Sequence, residues 1–193
     1  MKTFLTVVAV LLALAAAAAV VGFSGAYNIA ADEPHWAVTE RALEAARGRS
    51  VAVRSRDVVV PPLADEKRVV AGAGQYAEMC ETCHLAPGVA DTEVRKGLYP
   101  KPPELAHHRM DPRETFWVLK HGIKMTGMPA WGPTHDDDTL WNVVAFLQKL
   151  PEMDEKRYRE LVGKAAPHMP MHDDMQNQEA EHQHSHGAKP HTH

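Results

Sequence analysis

The chain has 193 residues, 45% apolar and 24% charged, which is enough for one ordinary domain with extensions and too little for two full-sized domains. Its formal charge of −4, from 21 basic and 25 acidic side chains with no long Lys/Arg stripe, excludes the electrostatic footprint of a nucleic-acid binder, and two cysteines exclude a disulfide scaffold. Thirteen histidines and nine methionines are the unusual counts; both side chains bind soft or borderline metals, so the composition points to metal chemistry.

Residues 4–21 are apolar apart from Thr6 and follow Lys2. The run exceeds the apolar stretch of about 7 to 15 residues usual in a cleaved signal and is long enough to span a bilayer. The competing reading is an export signal cut near Ser24, Gly25 and Ala26, where small residues suit a peptidase. Residues 1–25 are therefore expected to be a signal-anchor or transmembrane helix. Both readings export the rest. Lys2 before the span and Asp32 and Glu33 after it place the C-terminal portion on the periplasmic side of a bacterial inner membrane, as a single-pass protein or as a soluble periplasmic one after cleavage.

Residues 26–64 read as a connector, with a short helix over 37–47 that ends at Gly48 and an extended run over 51–60 stopped by Pro61 and Pro62. Residues 65–150 form the compact part and hold both cysteines. That length is small for a self-sufficient core, and a large apolar cofactor would supply the missing interior. Three helices are predicted in it. The first starts at Asp65 and Glu66, and Val69, Val70, Ala73, Tyr76, Ala77 and Cys80 recur at spacings of three and four. The second runs over 112–121 with Asp111 as N-cap, Pro112 at the first helical position, Glu114 completing a capping box and Gly122 as its stop. The third starts from Thr134 as N-cap, with Leu140, Val143, Val144, Leu147 and Leu150 as one apolar stripe before Pro151. Strand signals are poor, so the fold class is all-α.

From residue 151 to 193 the chain reads as a charged, His/Met-rich tail, with a possible charged helix over 152–163. Residues 168–193 contain seven of the thirteen histidines and three of the nine methionines, too little apolar surface to fold. His168, Met169, Met171, His172, His182, His184 and His186 mix imidazole with thioether in a set suited to copper. The alternative is a solvated low-complexity end with incidental affinity.

The chemistry is concentrated in Cys80, Glu81, Thr82, Cys83 and His84, a CxxCH motif. Two thiols three positions apart on a helical turn face one side and can form thioethers with the vinyl groups of a haem, with His84 beneath the iron. A thioredoxin-like redox pair would want an alternating βαβ pattern, and a zinc site would want two more ligands at matching spacing. Neither is present.

Gly72, Tyr76, Cys80, Cys83 and His84 resemble the first helix and attachment motif of small monohaem c-type cytochromes with His/Met ligation (class I cytochrome c-like). The stretch from Gly127 to Gly132, GMPAWG, is similar to their methionine-ligand loop, and residues 141–150 to their last helix, with Phe146 as its aromatic. The resemblance covers residues 65–150 and implies a haem wrapped by helices, the first and last crossing where Gly72 removes bulk. It also implies an iron held by His84 and Met128. A thioether favours ferrous iron and raises the potential relative to a second histidine. Met125, three residues earlier, competes for that role, and His107, His108 and His121 are further candidates. The Nδ1 proton of His84 needs an acceptor. The family uses a proline carbonyl, for which Pro103 with Leu105 fits best among Pro87, Pro100, Pro102 and Pro103. Tyr99 and Trp131 are candidates to donate hydrogen bonds to haem propionates.

The resulting expectation is an exported, membrane-tethered carrier of single electrons with one covalent haem c. It is not an enzyme by itself and has no small-molecule substrate; a redox donor and a redox acceptor are its protein partners. Six-coordinate iron leaves no position for a substrate, which argues against an oxygenase, a peroxidase or an oxygen carrier. The alternatives are a copper-handling or metal-sensing protein acting through its tail, and a cytochrome subunit of a larger oxidoreductase complex.

Overall fold

The computed structural model describes residues 1–165, and no β-strand occurs among them, as an all-α fold requires. Helix α1 (Lys2–Phe23) is long and apolar enough to cross a membrane, and none of its residues is buried. Helix α2 (Ala37–Ser55) leads into the compact body, which contains α3 (Glu66–Met79), α4 (Glu81–His84), α5 (Glu93–Lys96), α6 (Pro112–His121), α7 (Asp137–Leu147) and α8 (Glu155–Lys164). Two 3₁₀ turns, Leu105–His107 and Leu150–Glu152, pack against each other and close one end.

Helices α3 and α7 make the principal crossing. Their apolar stripes interleave: Val69, Ala73 and Tyr76 of α3 meet Leu140, Val143, Val144 and Phe146 of α7 in one core, and the rings of Tyr76 and Phe146 lie 5.2 Å apart. The crossing is close because α3 has no side chain at position 72. A Cβ there would sit 2.0 Å from the Asn142 carbonyl oxygen and 2.9 Å from the Phe146 Cβ, distances no relaxation of a flexible side chain would relieve. Arg68 fastens the same pair of helices from outside, donating to Asn142 Oδ1 at 3.0 Å and to Asp138 Oδ1 at 2.6 Å. Helix α6 lies on α7 through Phe116 and Trp141, whose rings are stacked 4.1 Å apart.

The caps at Asp65, Asp111 and Gly122 stand where the sequence puts them. Four features differ. Helix α2 continues through Gly48 to Ser55, so residues 51–55 are helical and not extended. Glycine weakens a helix by about 1 kcal/mol without ending it, and burial of Val51 and Ser55, four residues apart, accompanies packing on α6. The cap of α7 is Asp136, which accepts from the Thr139 amide at 2.8 Å. The Thr134 hydroxyl instead donates to the Trp131 carbonyl at 3.2 Å and lies 2.9 Å from His135 Nδ1. Helix α7 itself stops at Leu147, although Leu150 is still fully buried. Finally, residues 155–164 are not part of a free tail: α8 packs on α3, burying Tyr158 and Leu161 against the core.

Replacing Gly72 with Ala is expected to destabilise the protein by about 1–3 kcal/mol, since neither backbone at the crossing yields without moving a helix. A denaturant midpoint equal to that of the parent chain would show that the helices separate at little cost.

Candidate functional site

The CxxCH segment is placed by α3 without an intervening loop. The Cys80 amide donates to the Tyr76 carbonyl at 2.9 Å, and the His84 amide donates to Cys80 at 2.8 Å, so the attachment turn continues the α3 ladder into α4. Immediately after it the chain reverses at Leu85, which is buried with φ 58° and ψ 175°, a backbone region nearly confined to glycine. The conformation is held from α3: the fully buried Tyr76 hydroxyl donates to the Leu85 carbonyl at 2.5 Å. From the other side α8 reaches the same turn, where the Tyr158 hydroxyl donates to the Glu81 carboxylate.

Cys80 and Cys83 are both free thiols. Burial, with Cys83 nearby, pushes the Cys80 thiol up to about 12. Among the described residues no group of three or more His, Cys, Asp and Glu side chains is arranged to hold a metal ion on its own.

His84 Nδ1 lies 2.9 Å from the carbonyl oxygen of Pro103. A carbonyl only accepts, so Nδ1 carries the proton and the lone pair of Nε2 is left for another partner. Burial lowers the His84 pKa; the Pro103 hydrogen bond opposes this, and the Arg95 cation lowers it further. The neutral imidazole is the form that ligates a metal. Of the four prolines near this segment, Pro103 is thus the one whose carbonyl meets the ring.

Met128 sits in the loop between α6 and α7, half-buried and packed against the core. The loop is fastened at several points. The Met128 amide donates to Thr126 Oγ1 at 3.1 Å, the Ile123 amide donates to the Met128 carbonyl at 3.2 Å, and the amides of Trp131 and Gly132 return to α6 at Leu119 and Lys120. Gly122, at φ 63°, lies where a Cβ would be 2.7 Å from the backbone of residues 129 and 130. Met125, by contrast, is 94% exposed. His107, His108 and His121 are also exposed, His107 beside Glu104 at 3.6 Å and His121 against the Trp117 ring.

The remaining candidates have neighbours of their own. The Tyr99 hydroxyl accepts from the His35 amide at 3.1 Å, and its ring meets the His35 ring edge-on. His35 in turn bonds Tyr27 through Nδ1 at 2.8 Å, which ties the connector to the body. Trp131 packs on the core with its ring 5.4 Å from that of His135. His168, Met169, Met171, His172, His182, His184 and His186 lie outside the described residues.

Tested against a covalent haem, the donor set fits. Two free thiols stand three residues apart, a neutral imidazole is oriented through its far nitrogen, and a thioether lies in an anchored, half-buried loop. Sequence reasoning missed Arg95, which runs beside this arrangement, and Tyr158. The Thr92-to-Arg95 cap of α5, with a bond of 3.1 Å to the Arg95 amide, was the one signal for the former.

Residues 67–147 match the family model described as cytochrome C oxidase, cbb3-type, subunit III. No curated protein and no solved structure matches the chain. The matched segment begins in α3 and ends with α7, so it takes in the attachment turn, the Pro103 segment and the Met128 loop, and leaves out α1, α2 and α8.

The acid response of this region follows from Asp91. Hydrogen bonds from Lys101 and then Arg95 hold its carboxyl at about 2, below the ordinary 3.8. Its contribution to stability is therefore complete above 3.8 and lost as the pH falls through about 2. Asp91→Asn should be less stable than the parent at neutral pH and should show a shallower acid dependence across that window. Parallel stability-against-pH curves for the two proteins would reject the assignment.

Proposed function

Because residues 67–147 form a c-type cytochrome domain, we propose that this chain is an exported single-electron carrier with one haem attached at Cys80 and Cys83, its iron held by His84 and Met128. The observation that carries the reading is the His84 hydrogen bond to Pro103, at 2.9 Å, inside a CxxCH turn of the matched segment. When bound, the haem supplies a one-electron couple. The chain's own residues do the rest.

Pro103 fixes the ring plane of His84 and strengthens it as a donor through Nδ1. Met128 offers a neutral sulfur ligand, which favours the ferrous state and sets a higher potential than a second imidazole would. The apolar wall formed by α3, α6 and α7 keeps water from the ring. With His84 and Met128 both given to the iron, no ligand position would be left for a substrate, and the protein would act between redox partners and not as an enzyme on its own. Residues 65–150 carry ten basic and twelve acidic side chains, so docking does not rest on one strong charge field. Helix α1 anchors the domain on the periplasmic side of a bacterial inner membrane. In this reading Tyr99 and Trp131 are hydrogen-bond donors toward the propionates, Tyr99 through the proton its hydroxyl retains while accepting from His35.

A haem stain of the membrane fraction on a denaturing gel tests covalency and anchoring together. The parent chain should stain in the membrane pellet and Cys80→Ala/Cys83→Ala should not; a colourless parent, matured with full attachment machinery, defeats the proposal. Met128→Ala should lose the sulfur-to-iron charge-transfer band of the oxidised protein and fall in potential, whereas Met125→Ala should keep both. The opposite pattern would move the ligand to Met125.

A further inference from the structure

Arg95 is 5% exposed. A guanidinium taken out of water costs several kcal/mol unless its donors are matched, and each contact of Arg95 therefore has a use. Nη1 meets Asp91 at 2.8 Å and Nη2 meets Glu104 at 3.1 Å, which neutralise the charge from two sides. The third contact goes to no charge at all: Nε donates to the Pro102 carbonyl at 3.2 Å. The next residue is Pro103, whose carbonyl receives His84 Nδ1.

The segment that presents these two carbonyls cannot hold itself. Pro100, Pro102 and Pro103 have no amide proton, so among residues 100–103 only Lys101 has a backbone donor. Its position must come from side chains, and they are supplied by α5 and the residues before it. Asp91 takes Lys101 Nζ at 2.8 Å as well as Arg95. Helix α5 is in turn hung from the attachment turn: Thr92 Oγ1 donates to the Thr82 carbonyl at 2.6 Å and accepts from the Arg95 amide. A closed circuit results, running from Thr82 through Thr92 to Arg95, on to Pro102 and Pro103, and back through His84 to the same turn.

We propose that Arg95 is a positioning residue for the iron-ligating histidine: its planar fork locks the Pro102 and Pro103 carbonyls in register with the CxxCH turn, so that the Nδ1 proton of His84 keeps its acceptor. The proposal rests on the reading of His84 as an axial ligand. Its consequence is electronic. A secure Nδ1 hydrogen bond makes the imidazole a stronger donor and favours ferric iron, so loosening it should raise the potential.

The test uses the full-length, haem-loaded protein. Arg95→Lys keeps the charge but replaces a fork of five donors with a single ammonium, which cannot span two carboxylates and a carbonyl in fixed geometry. Solvent exchange of the His84 Nδ1 proton, followed by NMR in the reduced protein, should accelerate roughly tenfold, in line with one weakened hydrogen bond. The reduction potential should shift upward. Thr92→Val cuts the circuit at Thr82 and leaves the charges of Arg95 in place; it should move both readouts in the same direction, and it carries the test if Arg95→Lys does not accumulate. Lys164→Ala, which removes an exposed ion pair with Glu160 in α8 and no member of the circuit, should move neither. Exchange and potential at parental values in Arg95→Lys, or in Thr92→Val where only that variant is obtained, overturn the inference. A parent without covalent haem would instead defeat the functional reading beneath it, so the two failures are distinguishable.

Discussion

Two helices are allowed to touch at Gly72, and the geometry of the site descends from that contact. With no side chain at this position, α3 approaches the Asn142 backbone of α7 closely enough for Tyr76 and Phe146 to pack in the same layer. Because the attachment turn grows out of the end of α3 without a loop, the direction of α3 also decides where Cys80, Cys83 and His84 stand. The opposite wall is set by α6, stacked on α7 through Phe116 and Trp141, and by the loop that returns from Met128 to the last turn of α6. A helix–helix separation thus becomes the position of a histidine.

The local punctuation of the helices was legible from the sequence where one residue performs one task. Asp65 and Asp111 cap because each is itself extended and its short carboxylate reaches the amide two residues on, and Gly122 ends α6 because the chain turns there at φ 63°. The CxxCH motif, the bulk removed at Gly72 and the pairing of a proline carbonyl with His84 were legible as a pattern resembling known proteins. What escaped depends on contacts distant in sequence. The continuation of α2 past Gly48 accompanies the burial of Val51 and Ser55 as that helix packs on α6, information no local window holds. Helix α8 reads as polar because eight of its ten residues are not buried, yet Tyr158 and Leu161, with Val162 beside them, seat it against the core. Arg95 looks like any surface arginine until Asp91, Glu104 and Pro102 converge on it from three directions.

The turn after His84 shows how the molecule tolerates an unfavourable backbone. Leu85 occupies a conformation in which glycine would be at ease, and a leucine there costs on the order of 1–3 kcal/mol. Burying its side chain and giving its carbonyl the Tyr76 hydroxyl offset that cost. The phenol is buried with it, and its proton is held more tightly than in water, because burial and the neighbouring Cys80 and Glu81 all disfavour the phenolate. A donor that does not ionise keeps the reversal in place over the whole physiological pH range.

The pairing of Tyr27 with His35, and of His35 with Tyr99, ties the polypeptide down soon after α1 ends. From Phe23 to Tyr27 is four backbone steps, about 14 Å at full stretch. Where α1 lies in a bilayer, this short leash allows the globular part to tilt and swivel but not to travel, and its working height above the lipid is fixed within a narrow band. Such a molecule is moored, and whatever exchanges electrons with it must either diffuse to that berth or be embedded alongside it.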